Sequence, residues 1–484
     1  MNEIANFDTD RSPDGKAVLA GQLGVLRIAA VVIAFSAPLA VVAGYLAVVI
    51  ALGNGLGAPA AFLLTGCVLL LFSVGYTELV KALPTAGGFY VYITAGLGRS
   101  LGLAGTVIAL LSYFLLAAGT YAFLGLAASR LIGEELGGPA IPWWLFVAGA
   151  WVLSTILAYR ELSVSAQILT YLILIEFALI VGFDVTVLLH GGPEGFAWQA
   201  LDPAYIFSGA PGLALLFAAG MFLGFESTAV YRDEAREPAK TIPRATFVTV
   251  GFLTLFFTAT TFFLITALGA SHAVAVAAQD PAKTFPLALG RELGHGAVIT
   301  GYVLLCTSLY GAALSMHNVL SRYVFRMAES GLVSPRLAAI DPKFRAPSKA
   351  SLAVAIILGL IMMPFPIAGA SPDLLYARQV GVGVFGFMLL LFLTSIAVTV
   401  YFFRQKSKLH PFRSMVAPIV SALCLLVIFA LANLNFVALT GTSEAVASAI
   451  MMLVYGTGVA GLCWAFWLKA NRPDIYSKIG SSET

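Results

Sequence analysis

The sequence predicts an all-α polytopic membrane protein with twelve transmembrane helices. Three observations carry that reading. Charge is scarce, at 11% of 484 residues with 60% apolar, against roughly 25% charged residues in ordinary soluble domains. The apolar residues fall in runs of about 20 or more, the length a helix needs to cross the hydrocarbon core. These runs are apolar on all sides, whereas barrel strands would alternate. Threaded through a bilayer, the runs also place nearly all lysines and arginines on one side. A soluble fold of this composition would expose large apolar patches, and a disordered chain would be polar and charge-rich.

The spans are expected at 27–51, 58–80, 100–129, 142–160, 164–189, 211–231, 244–268, 297–326, 350–369, 376–403, 416–437 and 446–468. With the N-terminus in the cytoplasm, all of the 27 lysines and arginines except Arg130, Lys283, Arg291 and Arg378 lie on the cytoplasmic side. A missed or extra span would invert every later loop and destroy that asymmetry. Both termini are therefore expected inside, and the protein in the cell membrane. The organisation is a cytoplasmic segment 1–26, a ten-helix core 27–403 in halves 27–189 and 211–403, a loop 404–415, two further helices in 416–468 and a tail 469–484. The first segment is polar and mixed in charge, so no cleavable signal is expected.

Several classes drop out. The net charge is only +3, and no basic tract suggests nucleic acid. Cys67, Cys306, Cys424 and Cys463 lie within apolar runs at no metal-ligand spacing, and read as small buried hydrophobes. No metal, cofactor or obligatory protein partner is expected. The histidines are scattered, and no nucleophile with a base appears, so an enzyme is not expected. His317 alone lies well inside a span and reads as a helix–helix contact. No loop is long enough for a soluble receptor domain.

Ionisable groups within the bilayer cost about 3 kcal/mol to insert and are functional candidates by default. Glu176 sits mid-way in span five and Glu226 within span six; the plainer alternative is that each caps a backbone donor or pairs with a neighbouring helix. Asp184, nearer the outer end of span five, reads as a structural or surface group. Two spans also carry helix breakers. Span one reads Ser36-Ala37-Pro38-Leu39; Pro38 suits the first turn of a new helix, with Ser36 as its N-cap. Span six carries Gly220 and Gly224 ahead of Glu226. Broken spans survive only where the freed backbone is buried in protein or lines a cavity. Spans one and six begin the two halves of a five-plus-five inverted repeat and cross in opposite directions. One break would then offer a helix N-terminus to an anion and the other carbonyls to a cation, so that one cavity attracts both ends of a zwitterion.

Three stretches resemble the amino acid–polyamine–organocation permease superfamily. The first is Tyr76-Thr-Glu78 with Leu83-Pro-Thr-Ala-Gly87-Gly88-Phe-Tyr90-Val-Tyr92, then Gly98 and Gly102. The second runs from Gly224-Phe225-Glu226 through Glu234 and Glu237-Pro238 to Ile242-Pro243-Arg244-Ala245. The third is Asn318-Val-Leu-Ser321-Arg322, then Met327-Ala-Glu329-Ser330-Gly331-Leu332-Val333-Ser334-Pro335, ending at Ala346-Pro347. Their order, spacing and side of the membrane agree together, and the likeness covers most of the chain, weakest in the last two spans.

The resemblance implies a leucine-transporter-type fold, with alternating access around a site at the breaks in helices one and six. It implies a secondary transporter of amino acids, or of amines or polyamines. Ser36, Ala37, Pro38, Leu39, Gly224, Phe225, Glu226 and Ser227 would border the substrate, and Glu226 would take part in gating. Phe222 and Phe225 would form an aromatic gate or wall, or else core packing. Ser112 and Tyr113 on helix three and Met316 and Asn318 on helix eight would face the cavity. The chain departs from the family where many members have a glycine–serine–glycine break; here Pro38 supplies no N–H and Ala37 adds a methyl. That weakens a carboxylate site and leaves room for an amine, with Glu226 as countercharge. Some members place an ionisable side chain on helix five in lieu of sodium, which points to proton coupling through Glu176; burial disfavours the charged form of a carboxylate and lets it load a proton near neutral pH. Sodium held by Thr307 and Ser308 is the rival.

Overall fold

The computed structural model describes residues 23–83, 88–160, 166–341, 346–406 and 409–480. Residues 84–87 of the first motif, and Arg11, Lys16, Lys343, Arg345 and Lys408 of the basic count, lie outside them. Among the described residues there are helices and no strand. The main helices are α1 (Val25–Phe35), α2 (Pro38–Leu52), α3 (Ala58–Ala82), α4 (Phe89–Leu97), α5 (Arg99–Arg130), α6 (Trp143–Tyr159), α7 (Ala166–His190) and α8 (Pro211–Gly220). A 3-10 segment, Phe225–Glu234, follows. Then come α9 (Pro238–Leu268), α10 (Ala273–Gln279), α11 (Pro281–Leu293), α12 (His295–Glu329), α13 (Ser348–Met362), α14 (Pro372–Arg404), α15 (Ala417–Leu434) and α16 (Glu444–Asn471).

Among the described residues, ten helical stretches are long and apolar enough to cross a membrane, and two shorter apolar helices, α2 and α6, stand at the first and fourth expected spans. Proline opens α2, α8, α9, α11 and α14, where its missing N–H costs nothing and its fixed φ suits the first turn. This moves one boundary. The seventh span begins at Pro238, ahead of the expected start at 244, and continues through Pro243.

α5 runs through the middle, packed on α12, α14 and α16, while α3 packs on α9. The perimeter is greasy: Leu174, Leu255, Leu360, Val427 and Met452 are all exposed. Exposed apolar side chains all round are what a bilayer solvates. Two of the four cysteines belong to that perimeter. Cys67 and Cys463 are exposed and Cys306 and Cys424 half-buried, which corrects the expectation that all four are buried: an all-apolar run does not reveal which side faces lipid.

Candidate functional site

The first span is interrupted. α1 stops at Phe35, Ala37 takes a left-handed conformation (φ 47°, ψ 67°), and Pro38 starts α2. Ser36 is not the N-cap. Its hydroxyl donates back to the Ile33 carbonyl at 2.7 Å, and Ala37 holds the cap position with no side-chain bond. The backbone donors can be counted one by one. Ser36 N–H returns to Val32 and Ile33, Pro38 has none, and Leu39 N–H donates to Glu176 Oε2 over a long 3.4 Å. The N–H groups of Ala37 and Ala40 have no hydrogen-bond partner among the described residues. Above them, Val41–Tyr45 forms a π turn before the helix resumes.

The second interruption follows α8. The chain turns at 221–224 and Gly224 adopts φ +106°, a conformation that glycine reaches without strain. The segment beyond stays 3-10 because Ser227 and Thr228 hydroxyls bond back to the Gly224 and Phe225 carbonyls, at 2.6 and 2.9 Å, competing with the α pattern. Glu226 folds back on the break. Its Oε2 accepts from Gly224 N–H at 2.9 Å and its Oε1 from Tyr113 OH at 3.0 Å. Tyr76 OH donates to the Glu226 carbonyl at 3.2 Å.

The two breaks meet at one cavity of about 60 Å³. Ser36, Ala37, Ala40 and Val41 contribute from the first break and Gly220 and Leu223 from the second. α5 supplies Leu116, Gly119, Thr120 and Phe123, α12 supplies Leu309, Ala312 and Met316, and Tyr45 completes the lining. None of these is charged.

Of the residues singled out in the sequence, Ser36, Ala37, Gly220 and Met316 line this cavity. Pro38 and Leu39 are buried in the same turn. Ser112 and Tyr113 lie on the stripe of α5 that continues through Leu116, Gly119 and Phe123, one turn short of it. Ser112 instead faces α14, where a methyl added to Gly386 would collide with its hydroxyl. Met316 shares a stripe with Leu309 and Ala312, and Asn318 falls off it. Phe222 and Phe225 are fully buried: Phe222 packs on Phe257 at 6.3 Å and Phe225 on Phe72 at 5.9 Å. Gly224, Glu226 and Ser227 stand beside the second break, bonded to one another. The lining residues that sequence reading passed over are mostly Leu, Ala and Gly, which carry no signal of their own; the helical stripe through Ser112 was the available clue.

Glu176, on α7, is buried at the first break. Besides Leu39 N–H, its Oε2 accepts from Ser308 Oγ of α12 at 3.1 Å, so one carboxylate oxygen joins α2, α7 and α12. Thr307 donates to Leu304 of its own helix at 2.8 Å. Asp184 is 9% exposed and accepts from Thr260 Oγ1 of α9 at 2.7 Å, which makes it an interior group and corrects the surface alternative. His317 is fully buried with Nε2 at 3.0 Å from Ser351 Oγ of α13, a contact between helices.

The bundle closes differently at the two ends of the cavity. Towards the C-terminal end of α5, Phe123 stacks on Tyr376 at 4.6 Å, and Tyr45 meets Tyr376 edge-on at 6.3 Å. Tyr376 OH donates to Gly44 O at 3.1 Å; a Cβ at Gly44 would stand 2.6 Å from the Phe123 ring, so that position has room only for glycine. Beyond these rings Arg130 binds Asp280 through two bonds, at 3.2 and 2.9 Å, and Asp373 at 3.0 Å. Lys283 pairs with Glu134 at 2.5 Å alongside. At the other end Tyr113, Tyr323 and Tyr90 form a chain of rings at 6.0 and 5.6 Å, next to a cluster of Phe72, Tyr76, Phe89 and Phe225.

Two interrupted helices abutting a central cavity in a bundle with a greasy perimeter define a membrane transporter. The chain belongs to the amino acid permease family, within the amino acid–polyamine–organocation superfamily, whose sequence profile matches residues 23–459. It is similar to the branched-chain amino acid permease BcaP of Bacillus subtilis (strain 168), at 23% identity over 79% of this chain and 82% of that protein. It is also similar to the low-affinity putrescine importer PlaP of Escherichia coli (strain K12), at 22% over 65% and 68%. A third relative is the cationic amino acid transporter 5 of Arabidopsis thaliana, at 28% over 62% of this chain and 53% of that protein.

Proposed function

We propose that the chain is a secondary active transporter of amino acids in the cell membrane, with both termini cytoplasmic, working by alternating access. The observation that carries the reading is the meeting of both helix breaks at one cavity, with the unpaired Ala37 and Ala40 N–H groups on one side and the end of α8 at Gly220 on the other. The first suits a carboxylate and the second an ammonium. Core halves 27–189 and 211–403 rock about this point as inverted repeats.

Glu176 couples the cycle to protons. As a carboxylate it accepts from both Leu39 N–H and Ser308 Oγ, and bonds to an ionised acceptor are about twice as strong as neutral ones. Taking up a proton weakens both, loosening α2 from α7 and α12. Glu226, tied to Tyr113 and Gly224, holds the opposite end shut until substrate arrives.

An amine substrate is the second reading. It is favoured by Pro38, which lacks an N–H, and by the engagement of Leu39 N–H with Glu176. The test is uptake into vesicles with an imposed pH gradient, and with sodium replaced by choline. Accumulation should follow the proton gradient and survive choline. Glu176→Gln should still exchange substrate yet fail to concentrate it; if concentration persists, Glu176 is not the coupling group, and if choline abolishes uptake, sodium is the ion.

A further inference from the structure

We infer that the solute is an amino acid with a small, uncharged, aliphatic side chain, and that cationic amino acids and diamines are rejected for want of a countercharge. This rests on the transport reading above and deepens it.

An amino acid brings two charges of its own, and the two breaks offer a match for each. The rest of the cavity then decides the side chain. Leu116, Leu223, Leu309 and Met316 supply apolar surface, and no Asp, Glu, Lys or Arg lines it. Glu176, which holds Leu39 and Ser308 through one oxygen, and Glu226, which holds Gly224 and Tyr113, are both outside that lining. A second ammonium, as on lysine or putrescine, would be desolvated with no partner, which is the costliest arrangement a binding site can offer. Putrescine would also leave the Ala37 and Ala40 donors unpaired, whereas a carboxylate satisfies them. Discrimination of this kind is steep, because the wrong ligand strands polar groups rather than merely packing badly. Size is limited as well. The cavity of about 60 Å³ is small beside ordinary ligand pockets of ~300–1,000 Å³, and Tyr45 and Phe123 border it as bulky rings. Thr120 is the polar exception on the wall. Its hydroxyl donates to Leu116 O at 2.8 Å, with the Met316 sulfur 4.0 Å away, so a carboxylate placed at 120 would stand in the cavity.

The full-length protein, purified and reconstituted in liposomes, is assayed for uptake of labelled alanine, valine and leucine, with lysine, glutamate, tryptophan and putrescine as competitors and as labelled substrates. The aliphatic amino acids should be taken up, and lysine and putrescine should compete at least about 100-fold more weakly. Thr120→Asp should improve competition by lysine about tenfold or more. Transport of putrescine or lysine on a par with leucine overturns this inference and leaves the transport reading standing. If folded Thr120→Asp still ignores lysine, the countercharge argument falls. If that variant does not fold, the wild-type panel decides alone. Absence of uptake for every solute sinks the transport reading itself.

Discussion

The end of the cavity marked by Arg130 and the end marked by Glu226 are closed by different chemistry. Arg130 draws together three separate pieces of chain: the end of α5, the start of α11 through Asp280, and the start of α14 through Asp373. Its guanidinium is nearly buried, with side-chain exposure of 10%, while Asp280 and Asp373 keep 29% and 41%. Glu226 instead accepts from a backbone N–H and a phenol, within a bed of aromatic rings. One closure is a partly wetted ionic clasp. The other is a dry hydrogen-bonded plug without a cation in its bonds. An ionic clasp can exchange its partners for water and salt as it opens, whereas the plug has to find new acceptors within the protein. Two closures so built respond to different conditions.

The comparison can be broken most sharply at Glu226. Glu226→Leu leaves the Gly224 N–H and Tyr113 OH buried without an acceptor, at about 1–3 kcal/mol each. Thermal unfolding in detergent should show a larger loss of stability for this variant than for either substitution in the clasp, with uptake abolished; an unchanged melting temperature would mean the plug is not what holds that end. Arg130→Met comes next. It strands two carboxylates that retain some water, so the expected loss is about 2 kcal/mol, below the ~3–5 of a fully buried pair. The distinction sharpens with salt: about 1 M NaCl should shrink the Arg130→Met deficit and leave that of Glu226→Leu unaltered. Equal salt responses would erase the contrast. The smallest effect belongs to Asp373→Asn, about 0.5–1 kcal/mol, because its carboxylate is the more exposed partner and Asp280 still holds Arg130 by two bonds.

Much of this was written in the sequence. The spans followed from run length, and both interruptions followed from Pro38 and Gly224, residues whose backbone rules are local. Glu176 and Glu226 stood out because a carboxylate amid leucines has few innocent explanations. The partners of those groups were not legible. Nothing local to Glu176 names Leu39 or Ser308, since contacts over more than a hundred residues depend on how helices rotate against one another. Rotation is poorly marked when a helix is apolar all round, which is why the α5 stripe was found at Ser112 and the cavity one turn further on. The Arg130 clasp was invisible for the same reason. Ser36 failed as a cap because Ala37, in a left-handed conformation that costs roughly 1–2 kcal/mol, already turns the chain and leaves the serine hydroxyl to its own helix.

The π turn at Val41–Tyr45 bears on how this chain tolerates changes in length. A single wide turn is what one surplus residue produces inside a helix. Deleting one residue there restores ordinary winding and leaves the helix beyond it facing as before, whereas a deletion in the regular turns that follow rotates all that comes after it by about 100°. The π turn is therefore the place in this span where the loss of one residue is absorbed, while the ordinary turns from Leu46 to Leu52 have no such slack.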